Sequence, residues 1–343
     1  MHLPRGRGRP VIFLLLVAPL IAEVLFGTTT ITGSVGYFAQ IGLYGGGALL
    51  IREVTYRWGG GWPTILLLGA AYGAIEEGLL EPTWFTPQLQ SNPYGVTLGV
   101  FWTYAAYNVG YHAVFSILIP VLLTGLVFPR WRDQPWLGRT GLGVTGGIYL
   151  VNAAAIGLLW WGFLQDSIYH VPARAHPVQQ GATVALIITL IAAARLATRA
   201  RTFTPGGPPP PPASWLGAAA AIATLAWFGL LLASASASHL RWLPFPVPIA
   251  LAAAEVALCV RALQRWSART DLQVLAACTG ALIVQMAAGF GVAGLDGPVN
   301  IIGKAILDLV TVWLLARFAL RLHHDQARAQ PRPAVSAGPQ APA

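Results

Sequence analysis

The sequence contains few charged residues. Asp, Glu, Lys and Arg together make up 10% of its 343 residues, whereas 55% of the residues are hydrophobic. A soluble globular domain carries roughly 25% charged residues. This composition excludes an ordinary soluble domain and indicates an integral membrane protein.

Cysteines and the common ligand-binding motifs are also scarce. The two cysteines, Cys259 and Cys278, lie inside apolar segments and match no metal-ligand spacing, so we expect packing roles for both. The sequence has no HExxH zinc motif, no phosphate-binding loop and no nucleic-acid-binding motif. We therefore expect no cofactor, no metal ion and no nucleic acid partner.

Apolar segments long enough to cross a bilayer recur along the whole chain. A transmembrane helix needs about 20 apolar residues, with a range of about 17 to 25. Such segments are predicted at residues 10–27, 36–53, 62–81, 99–128, 142–164, 179–198, 214–234, 246–263, 272–292 and 300–320. The sequence thus predicts an all-α fold, a polytopic transmembrane helix bundle of about ten helices.

The positions of the arginines indicate how this bundle is oriented. Eighteen arginines fall at one set of alternate helix ends, and only Arg174 and Arg241 fall at the other set. Because loops rich in Lys and Arg stay in the cytoplasm, both termini are predicted to be cytoplasmic. The net charge of +9 therefore needs no polyanionic partner. We expect a multi-pass protein of the cell membrane, a prokaryotic plasma membrane, with the lipid bilayer as a partner.

A proline-rich stretch divides the predicted helices into two parts. Residues 202–214 read TFTPGGPPPPPAS and predict an extended cytoplasmic linker. Six helices are predicted before it, within residues 1–201, and four after it, within residues 215–322. The tail at 323–343 has too little apolar surface to fold and is predicted to be disordered. An inverted repeat between the two parts is left open, since no sequence repeat is visible.

Polar and ionisable groups within the apolar segments gather at one predicted depth. The members of this outer-half polar shelf are Glu23 in the first segment, Glu76, Glu77 and Glu81 in the third, and Asn108 and His112 in the fourth. A charge at mid-membrane costs about 2.5 to 3.5 kcal/mol, so each carboxylate needs a partner or a proton. The adjacent Glu76 and Glu77 therefore predict a buried, protonatable site. For each residue of the shelf, a purely structural or interfacial role is the alternative.

Two further pairs of charged residues occur in the apolar segments. Lys304, the only lysine, and Asp308 are four residues apart and are predicted to pair on one helix face. The alternative is that Lys304 neutralises a glutamate of the shelf. Arg52 and Glu53 lie at a predicted cytoplasmic helix end, where a solvent-exposed pair is expected.

The stretches AIEEGLLEPTWF and YNVGYHAVFS resemble the CPBP family of intramembrane proteases, which includes the CAAX-processing endopeptidases. In that family an EExxxR motif supplies the base that activates water, and histidines on later helices support the reaction and stabilise the oxyanion. The resemblance implies that Glu76 and Glu77 are the paired acids and that His112 is the histidine of the FxxxH motif. Glu81 stands at the arginine position and Asn108 at the phenylalanine position, and no later histidine is followed by Asn four residues on.

Four functions are open for the shelf. The first is a glutamate-dependent intramembrane protease, in which activated water attacks an amide while His112 and Asn108 polarise the carbonyl. Its substrate is expected to be a membrane-embedded peptide or small molecule. The second is a proton-coupled secondary transporter or permease, for which buried acids and the pair of Lys304 and Asp308 are equally suited. A divalent-metal site on the shelf and a non-catalytic scaffold are the third and fourth.

Overall fold

The part of the chain that the structure describes forms ten helices. The computed structural model describes residues 7–86, 94–162, 175–199, 202–233, 243–292 and 297–329. Within these ranges the helices are α1 at 8–24, α2 at 35–57, α3 at Trp62–Leu80, α4 at Trp102–Val127, α5 at Arg139–Gly162, α6 at Pro177–Ala197, α7 at 213–233, α8 at Pro246–Arg265, α9 at Asp271–Val292 and α10 at Gly297–Ala329. Eight of them, α3 to α10, are long and apolar enough to cross a membrane, whereas α1 and α2 fall short of that criterion. A short antiparallel hairpin, Val96–Thr97 with Val100–Phe101, precedes α4. The predicted all-α transmembrane fold is confirmed.

Several helices contain a π-helical turn, in which the N–H of residue i bonds to the C=O of residue i−5. These wide turns lie at Leu20–Val24 in α1, Ile41–Gly45 in α2, Glu76–Leu80 in α3, His112–Leu118 in α4 and Phe228–Ala233 in α7. In α3, for example, the Glu81 N–H bonds to the Glu76 carbonyl at 2.8 Å. Such turns account for well under 1% of residues in proteins and concentrate at functional sites. The first four of them carry, in order, Glu23, Tyr44, the pair Glu76 and Glu77, and His112.

Prolines border three of these wide turns. Pro19 directly precedes the turn in α1, and Pro120 lies two residues after the turn in α4. A proline inside a helix removes one N–H donor, and its ring clashes with the carbonyl four residues earlier. In α4 the carbonyl four residues before Pro120 is that of Ser116, inside the wide turn, so the widening relieves the clash there. In α3, Pro82 follows the wide turn and the helix stops, since the chain continues as the short 3-10 turn Thr83–Phe85.

Helices α3 and α4 lie at the centre of the bundle. In the apolar 18-residue stretch of each helix, 67% of the residues are buried in α3 and 72% in α4, against 17% in both α5 and α6. The two central helices touch at glycines: a Cβ added at Gly69 would lie 2.8 Å from Ala113 Cα, and one at Gly73 would lie 2.9 Å from His112 Cβ. Because lipid tails are as apolar as leucine, close contact at small residues is what stabilises helix pairs in membranes. The glycines thus hold His112 against the helix that carries the glutamates.

Arg52 and Glu53 form a buried charge cluster, so the prediction of an exposed pair is wrong. Their exposed fractions are 5% and 0%. The Arg52 guanidinium donates to the Arg132 carbonyl at 2.8 Å and lies 3.9 Å from the centre of the Trp136 ring. Glu53 accepts hydrogen bonds from Arg52 at 2.5 Å, from Arg57, and from the Trp136 N–H at 2.9 Å. The loop after α4 folds back over the end of α2 and covers both charges.

The proline-rich linker lies against the turn between α8 and α9. The Thr204 N–H donates to the Trp266 carbonyl, and the Ser267 N–H donates to the Pro208 carbonyl, both at 2.9 Å. These backbone hydrogen bonds fasten the linker to the four-helix part that follows it. The linker is therefore part of the folded structure as well as a spacer.

The last helix is longer than the sequence predicts. Helix α10 continues to Ala329, so residues 323–329 of the predicted disordered tail are helical. Asp325 of this stretch lies one helical turn after Arg321, with 4.0 Å between Asp325 Oδ2 and Arg321 Nε. Residues 330–343 lie outside the described residues.

Candidate functional site

The imidazole ring of His112 lies between two carboxylates. Its Nε2 is 3.2 Å from Glu77 Oε1, and its Nδ1 is 3.3 Å from Glu76 Oε2. His112 is 3% exposed and Glu76 is 4% exposed, whereas 14% of the Glu77 side chain remains exposed. We refer to these three residues as the Glu–His centre. The structure thus brings together the three residues that the resemblance singles out.

The two faces of the Glu–His centre differ in their surroundings. On the buried side, Ser116 Oγ lies 3.0 Å from His112 Nδ1. Glu76 Oε2 approaches the same nitrogen, but not in hydrogen-bonding geometry. On the other side, the Thr83 hydroxyl donates to Glu77 Oε2. Glu77 and Nε2 therefore form the accessible side of the centre, while Glu76, Ser116 and Nδ1 form its buried side.

The local structure explains how two neighbouring glutamates reach one ring. Adjacent residues of an α-helix point about 100° apart, so both can flank a ring only if the ring lies close to the helix axis. Gly73, one turn before Glu76, provides the necessary space, because a side chain there would overlap His112 Cβ. The ring thus rests on the α3 backbone with one carboxylate on each side.

We expect Gly73→Ala to destabilise the protein by about 1–3 kcal/mol, as overpacking of a tight contact usually does. The added methyl group would lie 2.9 Å from His112 Cβ and 3.3 Å from the Asn108 carbonyl, so α4 must move away from α3. The change is measured as the free energy of unfolding in mixed detergent micelles.

The matched control for this prediction is Gly143→Ala on the exposed face of α5. No atom lies within 4 Å of a Cβ added at Gly143. There the substitution should be neutral or stabilising by about 0.4–1 kcal/mol, because alanine restricts the unfolded chain. Equal effects of the two substitutions would contradict the close contact at Gly73.

Glu23 joins the Glu–His centre through tyrosines. The Tyr44 hydroxyl donates to Glu23 Oε1 at 2.6 Å, and the Thr28 hydroxyl donates to Oε2 at 2.7 Å. The Tyr44 ring stacks on the His112 ring with the centroids 6.1 Å apart. The Tyr72 ring contacts both rings, at 6.0 Å from each. The third carboxylate of the site is therefore one tyrosine away from the histidine.

The side chains of Asn108 and Glu81, the other two residues of the shelf, take part in none of the contacts described so far. Asn108, one turn from His112, is 2% exposed, and its Nδ2 makes no hydrogen bond to a described residue. Its amide neighbours the Tyr104 hydroxyl. Glu81 directly follows the last turn of α3, and its carboxylate forms no hydrogen bond or ion pair within the described part of the chain.

Lys304 and Asp308 pair with each other, as their spacing predicts. Lys304 Nζ donates to Asp308 Oδ2 at 2.7 Å and to the Leu25 carbonyl at 2.6 Å. Lys304 is 2% exposed, and its Nζ lies 4.5 Å from the centre of the Phe290 ring. Asp308 Oδ1 is buried and has no hydrogen-bond partner among the described residues. This pair belongs to the junction of α1, α9 and α10.

The sequence interpretation missed Tyr44, Tyr72 and Thr83. Both tyrosines lie beside glycines, in the stretches LYGGG and AAYGA, and these glycines are the signal that close helix contacts would surround them. Thr83 directly follows the proline that ends α3, so its position near Glu77 depends on how the chain turns there. Nothing in the local sequence indicates that turn.

Almost the whole chain matches a protein family. The family described as "uncharacterized membrane protein family" matches residues 12–324. The chain belongs to this family. The match runs from α1 into α10, so the helices on both sides of the linker belong to one family unit. No curated protein and no solved structure matches the chain significantly. Among the described residues, no group of three His, Cys, Asp or Glu side chains is placed to hold a metal ion.

Proposed function

We propose that the Glu–His centre is the reactive site of an intramembrane hydrolase that cleaves amide bonds in membrane-embedded peptides. The observation that carries this proposal is the contact of both His112 ring nitrogens with carboxylates, at 3.2 Å and 3.3 Å. A carboxylate that is paired with a histidine and partly exposed can take a proton from water. This is the chemistry that amide hydrolysis needs.

Glu77 is the proposed base because it is the more exposed of the two acids. It takes one proton from a water molecule while the water oxygen attacks the amide carbon and the carbonyl electron pair moves to oxygen. Collapse of this tetrahedral intermediate breaks the C–N bond. The proton passes from Glu77 to the leaving nitrogen, so the products are a carboxylic acid and an amine.

The remaining residues support this step. His112 Nε2 holds the Glu77 carboxylate, and Glu76 and Ser116 act as positioning residues on the opposite nitrogen. Asn108 Nδ2 lies beside the Tyr104 hydroxyl, is buried, and has no well-aligned hydrogen bond to a described residue. It is the proposed hydrogen-bond donor to the oxyanion. A donor that is already buried at the site needs little reorganisation when negative charge develops beside it.

The resemblance to the CPBP family supports the same assignment, since the paired acids and the histidine that it matches meet in space. We propose kinship with that family on this basis. Glu81 in place of the arginine and the missing later histidine mean that the proposed site uses a reduced set of groups. Asn108 is proposed to take over the role that a later helix has in that family.

The proposal is tested by hydrolysis in water enriched in oxygen-18. The purified protein in proteoliposomes is incubated with a library of single-span membrane peptides, and the products are identified by mass spectrometry. We expect new C-terminal fragments and N-terminal fragments whose new carboxylate carries one oxygen-18 atom. His112→Gln should abolish these products. Fragments without the label, or undiminished cleavage by His112→Gln, would contradict the proposal.

A proton-coupled transporter is the second candidate. The observation that favours it is the half-satisfied pair of Lys304 and Asp308, in which Asp308 Oδ1 is buried and bonds to no described residue. Ionisable residues inside a membrane often mark proton pathways. The same proteoliposomes, loaded with a pH-sensitive dye, report this activity as substrate-dependent proton flux.

A further inference from the structure

The wide turn of α1 at Leu20–Val24 leaves backbone carbonyls that other helices bind. The Ile21 carbonyl accepts a hydrogen bond from Gln285 Nε2 at 2.7 Å, and the Ala22 carbonyl accepts one from the Tyr111 hydroxyl at 2.5 Å. Gln285 Nε2 also donates to the Tyr111 hydroxyl oxygen at 2.9 Å. Gln285 lies in α9 and is fully buried. A polar side chain from the four-helix part therefore holds both α1 and α4.

Lys304 of α10 holds the same turn from the other end. Its Nζ donates to the Leu25 carbonyl at 2.6 Å, directly after the wide turn. Asp308 and the face of the Phe290 ring complete its surroundings. A buried ammonium is costly unless it is paired and hydrogen-bonded, and this arrangement supplies both the carboxylate and the carbonyl acceptor. The arrangement fixes the end of α1 relative to α10.

Both contacts are connected to the His112 ring through a tyrosine. Glu23 lies within the wide turn of α1 and accepts a hydrogen bond from Tyr44, whose ring stacks on His112. Tyr111, held by Gln285, places its ring edge-on to His112 with the centroids 5.5 Å apart. Helices α9 and α10 are therefore linked to the Glu–His centre through two separate aromatic contacts, those of Tyr111 and Tyr44 with His112.

We infer that Lys304 and Gln285 are positioning residues for the Glu–His centre. They hold the wide turn of α1 so that Glu23 reaches Tyr44, and Gln285 also holds Tyr111, so that the two tyrosines enclose His112. The inference concerns the same Glu–His centre, and it rests on the proposed function only where that centre is taken as the site of catalysis. The four-helix part is then required for the geometry of the Glu–His centre, although none of its described side chains contacts His112.

The test is the NMR signal of the His112 ring in protein labelled with nitrogen-15 and carbon-13 histidine, in lipid nanodiscs. The chain has seven histidines, and the signal that disappears in His112→Gln identifies the ring. We expect the double variant Lys304→Met with Asp308→Asn to shift this signal by more than its linewidth. The double change leaves no unpaired charge in the membrane. Gln285→Met should shift it as well, because it removes both donated hydrogen bonds at similar side-chain length.

The matched control is Arg132→Met, which removes the two 2.8 Å hydrogen bonds from Arg132 to Asp271 at the start of α9. It should lower the unfolding midpoint without shifting the His112 signal. An unshifted signal in the folded double variant and in folded Gln285→Met would overturn the inference. So would failure of both to fold, which would mean a purely structural role. Because the signal reports the ring itself, the result is independent of whether the protein hydrolyses amides.

Discussion

We expect Glu77→Gln to lower the rate of the proposed peptide hydrolysis by about 10²–10⁴-fold, the usual contribution of a positioned general base. Glutamine has the size of glutamate and can still contact His112 Nε2 and Thr83, but it cannot take a proton from water. The fold is therefore expected to survive while the chemistry is lost. The measurement is the initial rate of product formation in proteoliposomes, together with the unfolding midpoint.

Glu81→Gln is the matched control for this result. It makes the same chemical change four residues further along, at a carboxylate without a hydrogen bond or ion pair in the described structure. We expect its rate to stay within a few-fold of the wild type. Wild-type turnover by Glu77→Gln would remove Glu77 from the role of base. An equal loss in both variants would point to the overall negative charge of the shelf instead.

Glu53→Ala is the substitution for which we expect the largest loss of stability, about 3–5 kcal/mol. It leaves the buried Arg52 and Arg57, whose side chain is 33% exposed, without their carboxylate. It also leaves the backbone N–H groups of Trp136 and Leu137 without their acceptor. The loop after α4 should detach from the end of α2. The loss is measured as the free energy of unfolding in mixed micelles, and the detachment as faster proteolysis of this loop.

Asp325→Ala provides the comparison for this loss. Asp325 and Arg321 are also an acid and an arginine four residues apart, but their side chains are 58% and 78% exposed. Exposed pairs of this spacing contribute about 0.3–0.5 kcal/mol. Similar losses in Asp325→Ala and Glu53→Ala would show that burial of the cluster has no energetic consequence.

The sequence predicts the helices of this protein well because the bilayer allows few alternatives. Unpaired backbone groups are very costly in lipid, so an apolar run of sufficient length has to be helical. All ten predicted segments contain a helix for this reason. Positions of charge are harder to interpret, as Arg52 and Glu53 show. Their exposure depends on a loop some 80 residues later in the chain, and no local pattern reveals its path.

The site could be predicted in part. Counting helical residues from the predicted ends places Glu76, Glu77 and His112 at a similar depth, and these residues do meet. The count carries no information on the direction in which each side chain points. Tyr44 illustrates the limit: it bonds to Glu23, 21 residues earlier, on a neighbouring helix. Only the arrangement of both helices makes that hydrogen bond visible.

The wide turn of α1 has a consequence for insertions and deletions. It contains one residue more than an ordinary α-helical turn, so deletion of Ile21 or Ala22 would return the helix to regular α-helical geometry. The helix on either side would stay nearly aligned, because the wide turn holds the extra residue within one turn. The deletion would instead remove one of the two carbonyls, of Ile21 and Ala22, that accept the hydrogen bonds of Gln285 and Tyr111. A relative with a one-residue gap at this place would keep the bundle and its hydropathy profile yet lose one of these contacts. Single-residue gaps, more than substitutions, would then separate the family members that have these contacts from those that do not.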